Sequence, residues 1–248
     1  MSRSLEETPM ASSSVGLLDG LCSTRAIRRY APEPVPEAVL RDILFAATRA
    51  PSGSNRQPFR FVVLDSGPRA KQAKALIGAC ARDLWSTKRT ADGYDQGSGA
   101  RSNSPKARMA RVMQNYVDDI DEAPVLILPC LVRYRAPDPM EGASVYPAVQ
   151  NLLLAARALG YGGVITGFHR AAEADLKSLL GIPEEVFIAC TVTLGKPAGR
   201  HGPVRRRPCR SWSSATRGIR RLNGPRTHPA PAIPVPGHPN PALDKPLA

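Results

Sequence analysis

No apolar run in this chain reaches the roughly 18 residues that a membrane-crossing helix needs. With 42% hydrophobic residues over 248 positions, the expectation is a soluble globular protein with a sizeable core. The first sixteen residues are polar, carry Glu6 and Glu7 and lack the apolar stretch of a secretory signal, so the reading is cytoplasmic. Cysteine is sparse as well. Cys22, Cys80, Cys130, Cys190 and Cys209 are odd in number and scattered, form no CxxC and have no histidine beside them. That argues against a disulfide framework or a metal centre and leaves buried free thiols as the default.

Charge of one sign is plentiful, but only in one place. The formal charge is +13, yet residues 1–199 carry 24 Lys/Arg against 20 Asp/Glu, whereas residues 200–248 carry 10 against 1. A basic tail without interleaved stacking aromatics says little about the folded body, and nucleic acid is not expected as a partner.

Residues 1–16 are expected to be disordered, with a short helix over Val15–Cys22. Next, Arg25, Arg28 and Arg29 crowd around Ile27, and the proline-rich segment Ala31–Pro36 prevents a helix from continuing through them. On an extended segment their guanidinium forks can converge on an anion such as a phosphate. Pro36-Glu37 then opens a helix whose apolar face is Val39, Leu40, Ile43, Leu44 and Ala47. A corner, Ala50 to Phe59, follows it. Proline fixes φ and glycine permits φ > 0, so the corner is stiff. Ser52, Ser54, Asn55 and Gln57 offer donors and acceptors there, as a polar turn with a helix cap or as a ligand site.

A strand is predicted over Phe59–Leu64 and a helix from Pro68 to Leu84. The polar stretch 86–104 is expected to be a long loop, of the kind that forms a lid or mobile segment. Pro105–Asp119 reads as a helix, and Ala123–Val132 as a strand buried on both faces. Ala143–Leu159 is the strongest helix, stopped by Gly160. Gly162–Gly167 is a glycine-rich strand, explained either by a flat cofactor against its backbone or by a tight bend. A helix over Ala172–Leu180 and one strand over Val186–Leu194 complete the order. This is not a regular βαβ alternation, so the fold class is α+β: a central sheet covered by helices, with Ala143–Leu159 buried.

From about Leu17 to Trp212 these features resemble the FMN-dependent nitroreductase family. An RRSxRxF-type segment that binds the FMN phosphate is matched by Thr24–Tyr30, with Arg25 and Arg28 on its basic positions and Ala26 in place of its serine. An APSxxNxQPWxF segment is matched by Ala50–Phe61, placing Pro51, Ser52, Ser54, Asn55 and Gln57 against the ribityl chain and flavin ring. A QNLLLAAxALGxG helix is matched from Gln150 to Gly162. The strand beneath the isoalloxazine is matched by Val164–Gly167, so backbone N–H groups near Thr166 and Gly167 would face flavin N5 and O4. The resemblance implies a nitroreductase-like fold with a mostly antiparallel sheet, as an intertwined homodimer with FMN contacted by both chains. It also implies alternate use of NADH or NADPH and of a nitroaromatic, quinone or similar acceptor. Alternatives within the fold are a dehalogenase or a heterocycle oxidase, or a protein that binds FMN without turnover. A flavin carries such chemistry itself, which accounts for the absence of any Ser/His/Asp or metal constellation; no residue is assigned a catalytic role. His169 is expected to be a surface histidine, with a place beside the substrate as the alternative.

The resemblance also implies a basic-Pro segment reaching the phosphate, which Pro203–Pro208 supplies with Arg205 and Arg206, and then a stretch of the type PLxELVxxDxW, which is missing. Back-translating Pro208–Gly218 from the third base of the Pro208 codon permits V-P-E-L-V-F-G-D-A-W. The expected organisation is therefore a disordered start (1–16), an FMN-binding body (17–207) and a Pro/Arg-rich tail (208–248) that is disordered or frameshifted. The tail holds 8 prolines in residues 225–248. Resequencing the gene is expected to reveal a second frame encoding the missing stretch; an unbroken frame with no such alternative removes the idea.

Overall fold

The computed structural model describes residues 15–206. The expected disordered start, apart from Val15 and Gly16, and the tail from Pro208 lie outside the described residues. The chain divides into two units, Met1–Val204 and Arg205–Ala248. The first contains every element below.

In chain order the elements are α1 (Leu17–Ser23), α2 (Glu37–Thr48), β1 (Phe59–Leu64), α3 (Pro68–Ala91), α4 (Pro105–Asp118), β2 (Val125–Val132), α5 (Tyr146–Ala158), β3 (Gly162–Thr166), α6 (Glu173–Leu180), β4 (Val186–Ile188) and β5 (Thr191–Gly195). The sheet runs β1-β2-β5-β3, with β4 also paired to β2, and every pairing is antiparallel. Among the described residues no helix is long and apolar enough to cross a membrane.

The continuous apolar run of β2 follows from burial on both faces, since successive side chains of a strand point to opposite sides. Leu126, Leu128 and Cys130 pack with α3, α4 and α6, through Ala73, Ile77, Val117 and Leu176 among others. Val125 and Ile127 pack on the opposite side with Leu40 and Ile43 of α2 and Val149 and Leu152 of α5. Helix α5 is as buried as its composition predicts.

Two expectations about element boundaries are corrected. The polar stretch 86–104 is not one long loop, because α3 continues to Ala91. Its apolar periodicity ends near Trp85, but Lys88 pairs with Asp92 one turn on, and Arg89 with Asp95 through two bonds of 2.9 and 2.8 Å. The rest is tied down too: Lys106 Nζ donates to Asp92 O, and Gly93 and Gly97 adopt positive φ. The second correction concerns Val186–Leu194, which is two strands. Ile127 pairs with Val192 and Cys130 with Ile188, so three residues on one strand oppose two on the other, a β-bulge. Its cause is Pro129, which accepts from Ala189 N–H at 2.8 Å but has no N–H to return.

Among the described residues two lysines are buried, Lys177 and Lys74. Lys74 of α3 is 6% exposed, and its Nζ donates to the carbonyls of Asp65, Ala123 and Pro124 at 3.2, 2.9 and 3.3 Å. It thereby joins the end of β1 to the approach to β2, and burial pulls its pKa down. Replacing Lys74 with Met leaves those three carbonyls short of a donor. The expected loss is about 2–4 kcal/mol, read from urea denaturation, since breaking a buried charged hydrogen-bond cluster costs on that order.

Candidate functional site

The corner after α2 is strained where the sequence places no glycine. Ser54, Asn55 and Gln57 have φ of 51°, 51° and 50°, whereas Gly53 is not among the residues of positive φ. For Ser and Gln that conformation costs about 1 kcal/mol or more each, so the surroundings must impose it. They do so through hydrogen bonds: Gln57 N–H donates to Ser52 Oγ (2.9 Å), Gln57 Nε2 to Asn55 Oδ1 (3.2 Å), and Gly53 N–H to Ser144 Oγ (3.2 Å). Val132 N–H, at the end of β2, donates to Pro58 O at 2.8 Å and fastens the corner to the sheet. Pro51, Ser54, Asn55 and Gln57 are exposed and Ser52 is half-buried. A cavity of about 230 Å³ adjoins, lined by Gly53, Pro58, the Leu131–Arg135 segment, Met140, Glu141 and Ser144.

The segment carrying Arg25 and Arg28 is extended, as the prolines after it require. Ile27 N–H donates to Gly163 O (3.0 Å), Ala31 N–H to Lys196 O (2.8 Å), and Val204 N–H donates back to Cys22 O (2.8 Å). Arg25 and Ala26 are exposed; Arg25 Nη1 lies beside Gly202, and Arg25 helps to depress the pKa of His201, after burial and Arg157. Arg28 is half-buried and has other neighbours. It lines a cavity of about 410 Å³ with Tyr30, Asn115 and Tyr116. The two tyrosine hydroxyls meet Thr193 Oγ1 at 2.8 and 2.9 Å. Burial pushes the pKa of Tyr116 up to about 12 and raises that of Tyr30, so both are neutral phenols.

The third region is the end of β3. Thr166 is half-buried and Gly167 exposed, and both line a cavity of about 510 Å³ with Tyr146, Ile165, His169, Arg170, Ala189 and Cys190. The bulge opposite Pro129 shapes this cavity. Ala189 O accepts from the Tyr146 hydroxyl at 3.1 Å, and Ile188 O from His169 Nε2 at 2.9 Å. His169 is not on the surface, as its sequence neighbours suggested; it is 2% exposed. A carbonyl can only accept, so its proton sits on Nε2, and Nδ1 accepts from Thr191 Oγ1 at 3.1 Å. Burial lowers its pKa and keeps it neutral.

The glycines of β3 are accounted for by the protein itself. A Cβ on Gly162 would lie 2.6 Å from Ile27, and one on Gly163 2.5 Å from Thr193 O; at Gly167 the nearest atom would be on Arg170, at 3.5 Å. The three cavities share no lining residue. Gly53 of the corner, Arg28 and the Thr166–Gly167 end therefore open on different cavities of one chain. Arg205 and Arg206 are exposed and belong to the second unit. Sequence reasoning missed Ser144, Asn115 and Tyr146. Ser144 and Tyr146 flank the start of α5, where the apolar pattern runs on unbroken from Ala143, and the helical periodicity that identifies α4 gives no weight to a polar Asn115. Pro129, inside an otherwise apolar run, was the available signal for the bulge.

An antiparallel sheet with helices packed on both faces is the α+β architecture expected from the sequence. The chain belongs to the nitroreductase family, whose model matches residues 22–196. It is 30% identical over 200 residues to an NADH dehydrogenase of Thermus thermophilus, covering 74% of this chain and 88% of that protein. It is 26% identical over 200 residues to the 4-nitrobenzoate reductase of a Nocardioides species, covering 71% and 78%. Among solved structures, the NADPH:FMN oxidoreductase of Vibrio harveyi complexed with NAD⁺ superposes with a TM-score of 0.57 at 20% identity, over 82% of this chain and 78% of that one. The chain is accordingly an oxidoreductase of this family.

Its neutral His169 has a consequence for pH dependence. The pKa in the fold lies below the unfolded value, so the unfolded chain takes up a proton first as pH falls through about 6.5, and stability drops from there downward. Thermal denaturation is expected to show a lower Tm at pH 5.5 than at 7.5, with a smaller difference in His169→Gln. The remaining difference belongs in part to His201, depressed in the same direction.

Proposed function

We propose that this chain binds FMN and uses it to carry electrons from NADH or NADPH to a nitroaromatic, quinone or similar acceptor. Among the described residues three buried side-chain polar atoms lack partners, Arg28 Nε, Thr166 Oγ1 and His201 Nδ1, and the observation that carries the proposal is the first two. Such atoms cost free energy unless a ligand satisfies them. Both belong to residues on which the sequence resemblance places FMN, so the residues present fit the group.

When bound, FMN supplies the redox chemistry, accepting electrons from the nicotinamide and passing them to the acceptor in alternation, a ping-pong scheme. Everything else falls to the chain. Arg25 and Arg28 would hold the phosphate end. The Thr166 hydroxyl and the backbone N–H groups at Thr166 and Gly167 orient the ring's polar edge. Pro51, Ser52, Ser54, Asn55 and Gln57 would form a wall that binding does not have to rearrange, because Ser54, Asn55 and Gln57 already hold their strained conformation. The corner and the other two regions open on separate cavities within one chain, so we assign the complete site to a homodimer in which one protomer's corner faces its partner's β3 end. Residues 17–207 are the cofactor-binding body in this proposal, working in the cytoplasm.

The purified protein is expected to be yellow, with a flavin band bleached by NADH or NADPH. Arg25→Ala and Arg28→Ala should each weaken FMN binding about tenfold or more, the usual cost of losing a charge-assisted bond. Ala26→Ser, which restores a hydroxyl beside the phosphate, should tighten it. A colourless monomer that takes up no FMN would sink the proposal, and unchanged affinity in both arginine variants would displace the phosphate from this segment.

A further inference from the structure

The cavity beside the corner has a cationic mouth that the flavin proposal leaves unused. Tyr134, 57% exposed, carries two guanidinium groups: Arg56 with Cζ 4.4 Å from the ring centroid and Arg135 with Cζ 5.5 Å. Two like charges on one ring repel each other, and holding both long side chains there costs rotamer entropy. The nearby acids compensate unevenly. Glu141 is engaged by Arg133 through two bonds of 2.9 and 2.7 Å, which hold its carboxyl below the usual range. Asp138 makes a 3.8 Å ion pair with Arg135. Among the described residues no carboxylate lies within ion-pair distance of Arg56.

Arg56 is also held in place by its neighbours. The strained residues Ser54, Asn55 and Gln57 lie on both sides of it in the chain, and Arg56 itself is αR with φ of −73°. A backbone fixed this firmly presents its planar guanidinium from a defined position, which is what recognition of a polyanionic group requires. Tyr134 and Arg135 line the same cavity as Gly53, so this mouth and the corner assigned to the flavin adjoin each other.

We infer that Arg56 and Arg135, gathered on Tyr134, form the subsite for the 2′-phosphate of NADPH. The inference deepens the flavoenzyme proposal and rests on it. A phosphomonoester brings close to two negative charges and three acceptor oxygens, enough for two guanidinium forks. A pyrophosphate diester brings one charge per phosphorus and suits the pair less well. The other phosphomonoester in this system, that of FMN, is assigned to Arg25, which lies beside Gly202 rather than on Tyr134.

The test uses the full chain loaded with FMN, as wild type, Arg56→Ala, Arg135→Ala and the double variant. The wild type is expected to prefer NADPH to NADH in kcat/KM. The double variant should lose that preference by about tenfold or more, chiefly through KM for NADPH. By calorimetry, its affinity for 2′,5′-ADP should fall by a similar factor while that for 5′-AMP holds. Three results overturn the inference: an unchanged NADPH/NADH ratio, an equal loss with both donors (which assigns the arginines to the pyrophosphate), or a loss of FMN affinity in place of 2′,5′-ADP affinity. Binding of 2′,5′-ADP is measurable on flavin-free protein too. Failure to take up FMN therefore counts against the flavoenzyme proposal, while the calorimetry still decides this one.

Discussion

A missing hydrogen-bond donor organises much of this structure. Strand β2 lies at the centre of the sheet, and Pro129 within it cannot return a bond to Ala189. A proline in a central strand is tolerated only where the ladder gives way, and here the neighbouring strand bulges. The bulge releases two carbonyls into the interior, where leaving them bare would cost as much as a lost hydrogen bond. The Tyr146 hydroxyl takes one and His169 Nε2 the other. Both side chains then line the cavity at the end of β3. The shape of that cavity is a repair of the sheet before it is anything else.

Much of the fold was legible because periodicity and punctuation agree in this chain. Phe59–Leu64 was placed to the residue, and α2, α4, α5 and α6 were placed within a few residues, because their apolar stripes, prolines and closing glycines point the same way. The errors have physical reasons. The last turns of α3 are held by ion pairs on a solvated face, which an apolar stripe cannot reveal. The bulge was hidden by a run whose composition suits one long strand. His169 sits in a segment of mixed polarity, and only the three-dimensional position of Ile188 and Thr191 shows why it is buried.

The corner and the glycine-rich strand were legible as special backbone, but not the reasons for it. Stiffness at Ala50–Phe59 was predicted from proline and glycine, yet the strained residues are Ser54, Asn55 and Gln57, fixed by bonds to Ser52 and by the anchoring of Gly53 on Ser144. Glycine in β3 was ascribed to a ligand or a bend, whereas Gly162 and Gly163 make room for Ile27 and for Thr193. A sequence states which residues tolerate close approach; it does not state what approaches.

That close packing at Gly162 and Gly163 sets a length. The Ile27–Gly163 hydrogen bond pins the arginine segment to one rung of β3, and Thr166 stands three rungs further along. At about 3.3 Å per residue, the two points are roughly 10 Å apart, whatever happens in the loops around them. The strand thus acts as a ruler between the arginine segment and Thr166. Inserting one residue between Gly163 and Thr166 would lengthen it by one rung and turn the threonine to the opposite face of the sheet.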